Sequence, residues 1–190
     1  MKRSKITILL AIVLGMTFHS CLDLEPQDQL GGKNMWTSVN DYKQFANTFY
    51  SWTRDFSSVV YDGTHSDKRS DLITYQSYNE FSRGINSIPS SDANYTDNYK
   101  HIRRTNLLLQ NAEAYAKPED IKQYIGEAYF FRAYSYFDLL QLYGDVIITK
   151  KPLDITDPEM KVKRNDRSEV VDLIIDDLNH AVENLPAFKE

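Results

Sequence analysis

The 190-residue chain holds a single cysteine, which excludes an intrachain disulfide and a zinc site built on thiolates. Histidine is scarce as well, four in all, and His65, His101 and His180 stand far apart with no H-E-x-x-H or G-x-S-x-G around them. No nucleophile or metal-ligating constellation is therefore read, and neither an enzyme activity nor a cofactor is expected. Cations are outnumbered, 22 Lys and Arg against 27 Asp and Glu for a net charge of -5. Three of those cations, Lys2, Arg3 and Lys5, sit in the first five residues, and without them 19 cations face 27 anions, a balance of -8. A chain that acidic repels phosphate backbones, so a nucleic-acid binder is excluded. Long apolar runs are missing too. The longest, Ile6 to Phe18, is broken only by Thr7, Gly15 and Thr17. As a helix it would reach only about 20 Å, short of the ~30 Å hydrocarbon core. What is plentiful is aromatic: 13 Tyr, 9 Phe and 2 Trp in a composition that is 42% hydrophobic and otherwise globular.

A cationic start, a short apolar stretch and a small residue at position 20 describe a secretory signal over residues 1–20. Cys21 follows directly, in the pattern of a bacterial lipoprotein whose cysteine becomes the acylated N-terminus; the alternative is a plain secretory signal with an incidental cysteine. Each buried CH₂ of an acyl chain contributes ~0.8 kcal/mol, so more than one chain holds firmly. Residues 21–34, beginning Cys21-Leu22-Asp23-Leu24-Glu25-Pro26, read as a lipidated acidic tether.

From residue 35 to 190 the periodicity is helical. Ser38 and Asp41 form an S-x-x-D capping box before Tyr42, Phe45, Ala46 and Phe49. Asp55 to Asp97 is a long irregular excursion rich in Ser and Tyr, with Gly63, Gly84 and Pro89. A second helix is expected from Asn94 or Tyr95 to Ala116, with Tyr95, Tyr99, Ile102, Asn106 and Leu109 in i+3/i+4 rhythm. Pro118 opens a third, which carries aromatics nearly all round and so is expected between neighbours. Gly126 inside it loses ~1 kcal/mol against Ala, which a close helix crossing would explain. Gly144 stops it. Val146 to Thr149 is a short extended run, and a Pro-containing loop follows. Asp166-x-x-Glu169 begins the fourth helix, whose expected buried face is Val170 or Val171, Ile174, Leu178, Ala181, Val182 and Leu185, with Asp172, Asp176 and Asp177 on the solvated side. Pro186 ends it. The fold class is all-α, antiparallel helix pairs of tetratricopeptide-like repeat type with one long irregular loop, and without a clean 34-residue self-similarity.

The run Glu127-Ala128-Tyr129-Phe130-Phe131-Arg132-Ala133-Tyr134-Ser135-Tyr136-Phe137-Asp138-Leu139-Leu140-Gln141-Leu142-Tyr143-Gly144-Asp145-Val146 resembles the signature of the SusD/RagB family. The lipidated start, Trp36-Thr37 with Asp41-Tyr42, Tyr99-x-x-Ile102-x-x-x-Asn106 and the Arg164 to Leu185-Pro186 helix agree with it in order. Ile147 departs from it, since the family commonly has Pro there. The resemblance implies a surface nutrient-binding lipoprotein of Bacteroidetes, tethered through Cys21 to the outer membrane. Such a protein would capture oligosaccharides for import through a SusC-like TonB-dependent transporter. It also implies a far longer protein, of which residues 35–190 would be the N-terminal helical domain, incomplete at its C-terminus. Two alternatives stand beside it: a truncated transporter-interaction module without its own ligand site, and a peptide-binding RagB-type member.

Sugars are held by stacking on aromatic rings while polar side chains read the hydroxyls. On that ground, and on the placement of the excursion before the second helix, the candidate ligand residues are Tyr61, Asp67, Arg69, Tyr75, Tyr78, Arg83, Tyr95 and Asn98.

Overall fold

A computed structural model of the chain describes residues 35–54 and 84–187, with residues 86 and 155 left out. All the described helices belong to one unit, Trp36–Glu190. The first, α1 (Val39–Asn47), starts where the sequence expects: Asp41 Oδ2 accepts from the Ser38 N–H at 2.8 Å and from the Thr37 N–H at 3.0 Å. Burial works against the charge, but these hydrogen bonds hold the Asp41 carboxyl below its usual range. Trp36 takes a left-handed backbone, φ 79°, which turns its ring onto Tyr42 and Phe45 at 5.0 and 4.7 Å. The helix tightens into a 3₁₀ turn at Thr48–Trp52.

The second helix, α2 (Ala93–Glu113), is capped by Asp92, whose side chain accepts from the Asn94 N–H. A 3₁₀ turn at Pro118–Ile121 leads into α3 (Lys122–Tyr143), and Gly144 ends that helix at φ 70°. The last helix, α4 (Arg167–Asn184), follows a further short turn at Pro158–Lys161. α3 packs against α2 on one side and α4 on the other; α1 also touches it, and the 3₁₀ turn after α1 sets Phe49 against Phe131. The expected close crossing is present: a Cβ on Gly126 would meet Leu185 Cγ at 3.0 Å and Asn184 Cβ at 3.1 Å. The expectation of an all-α fold of antiparallel pairs holds among the described residues. Their only β contact is an isolated bridge between Val146 and Asn165.

Two expectations for α4 fail. Leu178 and Val182 were placed in the buried face but are 40% and 79% exposed. Asp177, placed on the solvated side, is 1% exposed. The reason lies on α3. Arg132 sits in that helix's buried rhythm, and its guanidinium meets the Asp177 carboxylate in two bonds, Nε to Oδ2 at 2.8 Å and Nη2 to Oδ1 at 2.6 Å. Arg132 Nη1 donates to Asn106 Oδ1 at 2.8 Å, and Asn106 passes the chain of bonds to the Thr149 carbonyl at 3.0 Å. Three helices and the extended segment are thus joined by one polar network. A buried charge is tolerated when it is paired in this way, and α4 rotates to keep Asp177 in.

Candidate functional site

After Val146, bridged to Asn165, residues 147–149 run on with no further strand beside them among the described residues, so their backbone groups need side-chain partners. The Tyr99 hydroxyl accepts from the Ile147 N–H at 2.9 Å and donates to its carbonyl at 2.8 Å. The Tyr136 hydroxyl treats Thr149 in the same way, at 2.8 and 3.3 Å. Burial, reinforced by Tyr95, pushes the Tyr99 phenol well up, and burial also pushes up the Tyr136 phenol, so both stay protonated donors. Val146 is fully buried beneath, and Asn165 binds the segment from outside through its N–H to the Val146 carbonyl at 2.9 Å.

Against this pinned segment the N-terminal half of α2 leaves a groove of about 430 Å³, within the size of small-ligand sites. Tyr95, Tyr99, Ile147 and Leu153 supply its apolar faces; Thr96, Lys100, Arg103, Thr149, Lys151 and Glu159 supply its polar ones. Tyr95 is set by its neighbours, 4.8 Å from the Tyr99 ring and edge-on to Tyr143 at 5.2 Å. Tyr143 is fixed in turn by donating to Asp92 Oδ2 at 2.6 Å, the bond that most lowers the Asp92 carboxyl's pKa. The groove's ion pairs are exposed: Lys100 with Asp97 at 2.8 Å, Lys151 with Glu159 at 2.7 Å and Arg103 with Asp154 at 3.5 Å, Arg103 also donating to the Leu153 carbonyl at 3.2 Å. An apolar wall of two tilted tyrosine rings with exchangeable polar groups at its lip can stack a ring and bond its substituents.

Of the candidate ligand residues, the structure brings Tyr95 to this groove. Asn98 is buried, its amide donating back to the Asn94 carbonyl at 2.8 Å, and it is not among the residues lining the groove. Tyr61, Asp67, Arg69, Tyr75, Tyr78, Arg83 and the candidate anchor Cys21 lie outside the described residues. Tyr99, Lys100, Arg103, Lys151 and Leu153 were not singled out as ligand residues from sequence. The Y-x-x-x-Y spacing of Tyr95 and Tyr99 was a usable signal for the first of them, since it puts both rings on one helical line. A second, more polar cavity of about 330 Å³ lies among α2, α3 and α4, where Tyr129 stacks on His180 at 4.8 Å beside Glu113, Asp176 and Lys150. Among the described residues no group of three or more His, Cys, Asp or Glu is placed to hold a metal ion. None of the described helices is long and apolar enough to cross a membrane.

A family model described as "Starch-binding associating with outer membrane" matches residues 22–190. The chain belongs to this SusD-like family. Two SusD-like proteins of Formosa agariphila are 28% and 27% identical to it, over 97% and 98% of this chain. The chain spans 38% and 39% of the length of those relatives. Among solved structures, a SusD-like protein of Bacteroides fragilis superposes with a TM-score of 0.67 at 26% identity, over 87% of this chain and 33% of that one. A structure described as a laminarin-binding SusD-like protein matches at 31% identity and a TM-score of 0.50, over 56% of this chain and 23% of its own. The SusD-like helical fold therefore covers the described α1–α4 frame, and the groove lies on that frame.

Proposed function

We propose that this chain is the N-terminal part of a carbohydrate-capturing lipoprotein, held through Cys21 at the outer membrane and facing outward. There it would hand oligosaccharide to a SusC-like TonB-dependent transporter without transforming it. The observation that carries the reading is the groove, where the Tyr95 and Tyr99 rings stand beside Lys100, Arg103, Lys151 and Glu159. Aromatic faces stack on the C–H faces of sugars, and the charged groups at the lip suit their hydroxyls. Family membership supports carbohydrate and outer-membrane association, and the laminarin-binding neighbour makes β-glucans the first ligands to try. In this reading Tyr95 and Tyr99 form the stacking wall, and Tyr61, Asp67, Arg69, Tyr75, Tyr78 and Arg83 remain further candidates, while Asn98 is buried with its amide spent on the Asn94 carbonyl.

Calorimetric titration of a panel of laminarin and starch oligosaccharides tests the reading, with short peptides as the control set. Micromolar to millimolar binding of a glycan is expected, that is ~4–8 kcal/mol. Peptide binding with glycans silent would favour the peptide-binding alternative, and silence throughout would favour a transporter-interaction module. For the anchor, Cys21→Ser is expected to leave the protein unacylated and free of membranes on fractionation; unchanged attachment would refute it.

A further inference from the structure

The second cavity, among α2, α3 and α4, has polar walls that the frame does not use up. Arg132 lines it with a side chain that is only 6% exposed. A guanidinium carries five N–H donors. Three of them are spent here, two on the Asp177 carboxylate and one on Asn106 Oδ1. The other two have no acceptor among the described residues, on a group that borders about 330 Å³ of space. A donor taken out of water is costly to leave unpaired, so the cavity favours an acceptor beside Arg132. A carboxylate, with two oxygens in one plane, matches two guanidinium N–H groups.

Two further charges face the same cavity without meeting. Glu113 on α2 and Lys150 on the segment after α3 both line it, and neither side chain makes a hydrogen bond or ion pair with a described residue. Asn106 bonds the Thr149 and Lys151 carbonyls at 3.0 and 3.3 Å, which sets Lys150 level with Asn106 and Arg132. Glu113 stands seven residues further along α2, two turns or about 10 Å away. The cavity thus has a cationic end at Arg132 and Lys150 and an anionic end at Glu113, with Leu109 between them on α2. Other charged groups in the wall have neighbours of their own: Lys151 has Glu159 at 2.7 Å, and Asp176 has His180 at 3.9 Å. Tyr129 closes the α3 side. Its ring lies 5.2 Å from the Arg132 guanidinium and stacks on His180 at 4.8 Å, so it is a fixed wall. Burial pushes its phenol up, against the opposing pull of Arg132, and the hydroxyl stays protonated.

We propose that this cavity binds a small linear zwitterion, its carboxylate on Arg132 and Lys150 and its ammonium at Glu113. A neutral sugar brings no charge to either end, and an ion of one sign answers one end and leaves the other unmet. The chemistry is shared by ω-amino acids and by short peptides with free termini. Lys151 borders both this cavity and the glycan groove, but neither end of the zwitterion site uses it. The proposal does not depend on the carbohydrate reading.

The test is calorimetric titration of the purified chain with two zwitterions, ε-aminocaproate and triglycine, beside caproate and hexylamine, which carry one charge each. At least one zwitterion is expected to bind about tenfold or more tightly than either single-charge compound. The tighter of the two names the class, ω-amino acid or peptide, and either supports the proposal. Glu113→Gln and, separately, Lys150→Gln should each weaken that zwitterion about tenfold at unchanged thermal midpoint, because both side chains are exposed and hold nothing in the frame. Arg132 is kept in every variant, since removing it would leave Asp177 buried and unpaired. Tyr95→Ala, in the glycan groove, should leave zwitterion binding unchanged. Equal binding of zwitterions and single-charge compounds, no binding of any of them, or indifference to the Glu113 and Lys150 changes would overturn the proposal. So would loss of zwitterion binding in Tyr95→Ala, because the groove would then be the site.

Discussion

Two ion pairs in this chain join similar groups in different surroundings. Arg132 and Asp177 meet with side chains 6% and 1% exposed, whereas Lys151 and Glu159 meet at 2.7 Å with side chains 54% and 48% exposed. In the first pair each charge has lost its water, so each depends on the other and on Asn106. In the second, water screens both charges, and either can turn to a ligand hydroxyl with little change in free energy. The difference separates frame from site: the polar groups that hold α2, α3 and α4 together are dry, and those at the lip of the groove are wet. Carboxylates serve both purposes, and burial decides between them.

The contrast breaks most sharply at Arg132. Arg132→Met leaves Asp177 buried without its cation, and a loss of about 3–5 kcal/mol is expected in urea unfolding. Adding Asp177→Leu should recover most of that loss; a single variant as stable as the parent would mean the pair does not hold the frame. Tyr99→Phe comes next, because it strips the Ile147 N–H of its acceptor at the junction of frame and groove. It should lose about 1–3 kcal/mol and weaken glycan binding as well, since the groove wall loses its fixed position. Gly126→Ala tests the packing side of the frame alone: overpacking against Leu185 should lose about 1–2 kcal/mol with glycan affinity unchanged. Glu159→Gln touches only the wet pair and should move stability by less than ~1 kcal/mol, while a change in affinity would report Lys151 acting on the ligand. Tyr42 adds a pH dependence. Burial first, then Tyr115 and Asp41, push its phenol up to about 12. A raised folded value means that its contribution is complete below the ordinary value of 10.0 and is lost as pH rises through about 12. Tyr42→Phe should flatten the alkaline limb of a stability profile and, by removing the hydroxyl's bond to the Asn111 carbonyl at 3.0 Å, lower the neutral plateau by about 1 kcal/mol.

How far the sequence could be read follows the same division. The capping box at Ser38 and Asp41, the stop at Gly144 and the close crossing at Gly126 are local or steric signals, and each is found where the pattern put it. Asp177 was misjudged because a helical pattern taken alone sends every carboxylate to solvent. Its partner is 45 residues away on a helix read as apolar. Leu178 and Val182 were misjudged for the complementary reason: an apolar stripe wider than the core beneath it leaves residues over, and these two are 40% and 79% exposed. The groove was half legible. Tyr95 was singled out, but the wall opposite is pinned by hydroxyls such as that of Tyr99 reaching Ile147, 48 residues on, and no spacing rule carries that pairing.

The carbohydrate reading turns on whether a sugar stacks on Tyr95. Side-by-side calorimetric titration of laminarin oligosaccharides into the parent chain and Tyr95→Ala tests it most directly. Binding by the parent, with affinity about tenfold or more lower in the variant at the same unfolding midpoint, is the predicted result. Equal affinity in the two proteins would contradict it.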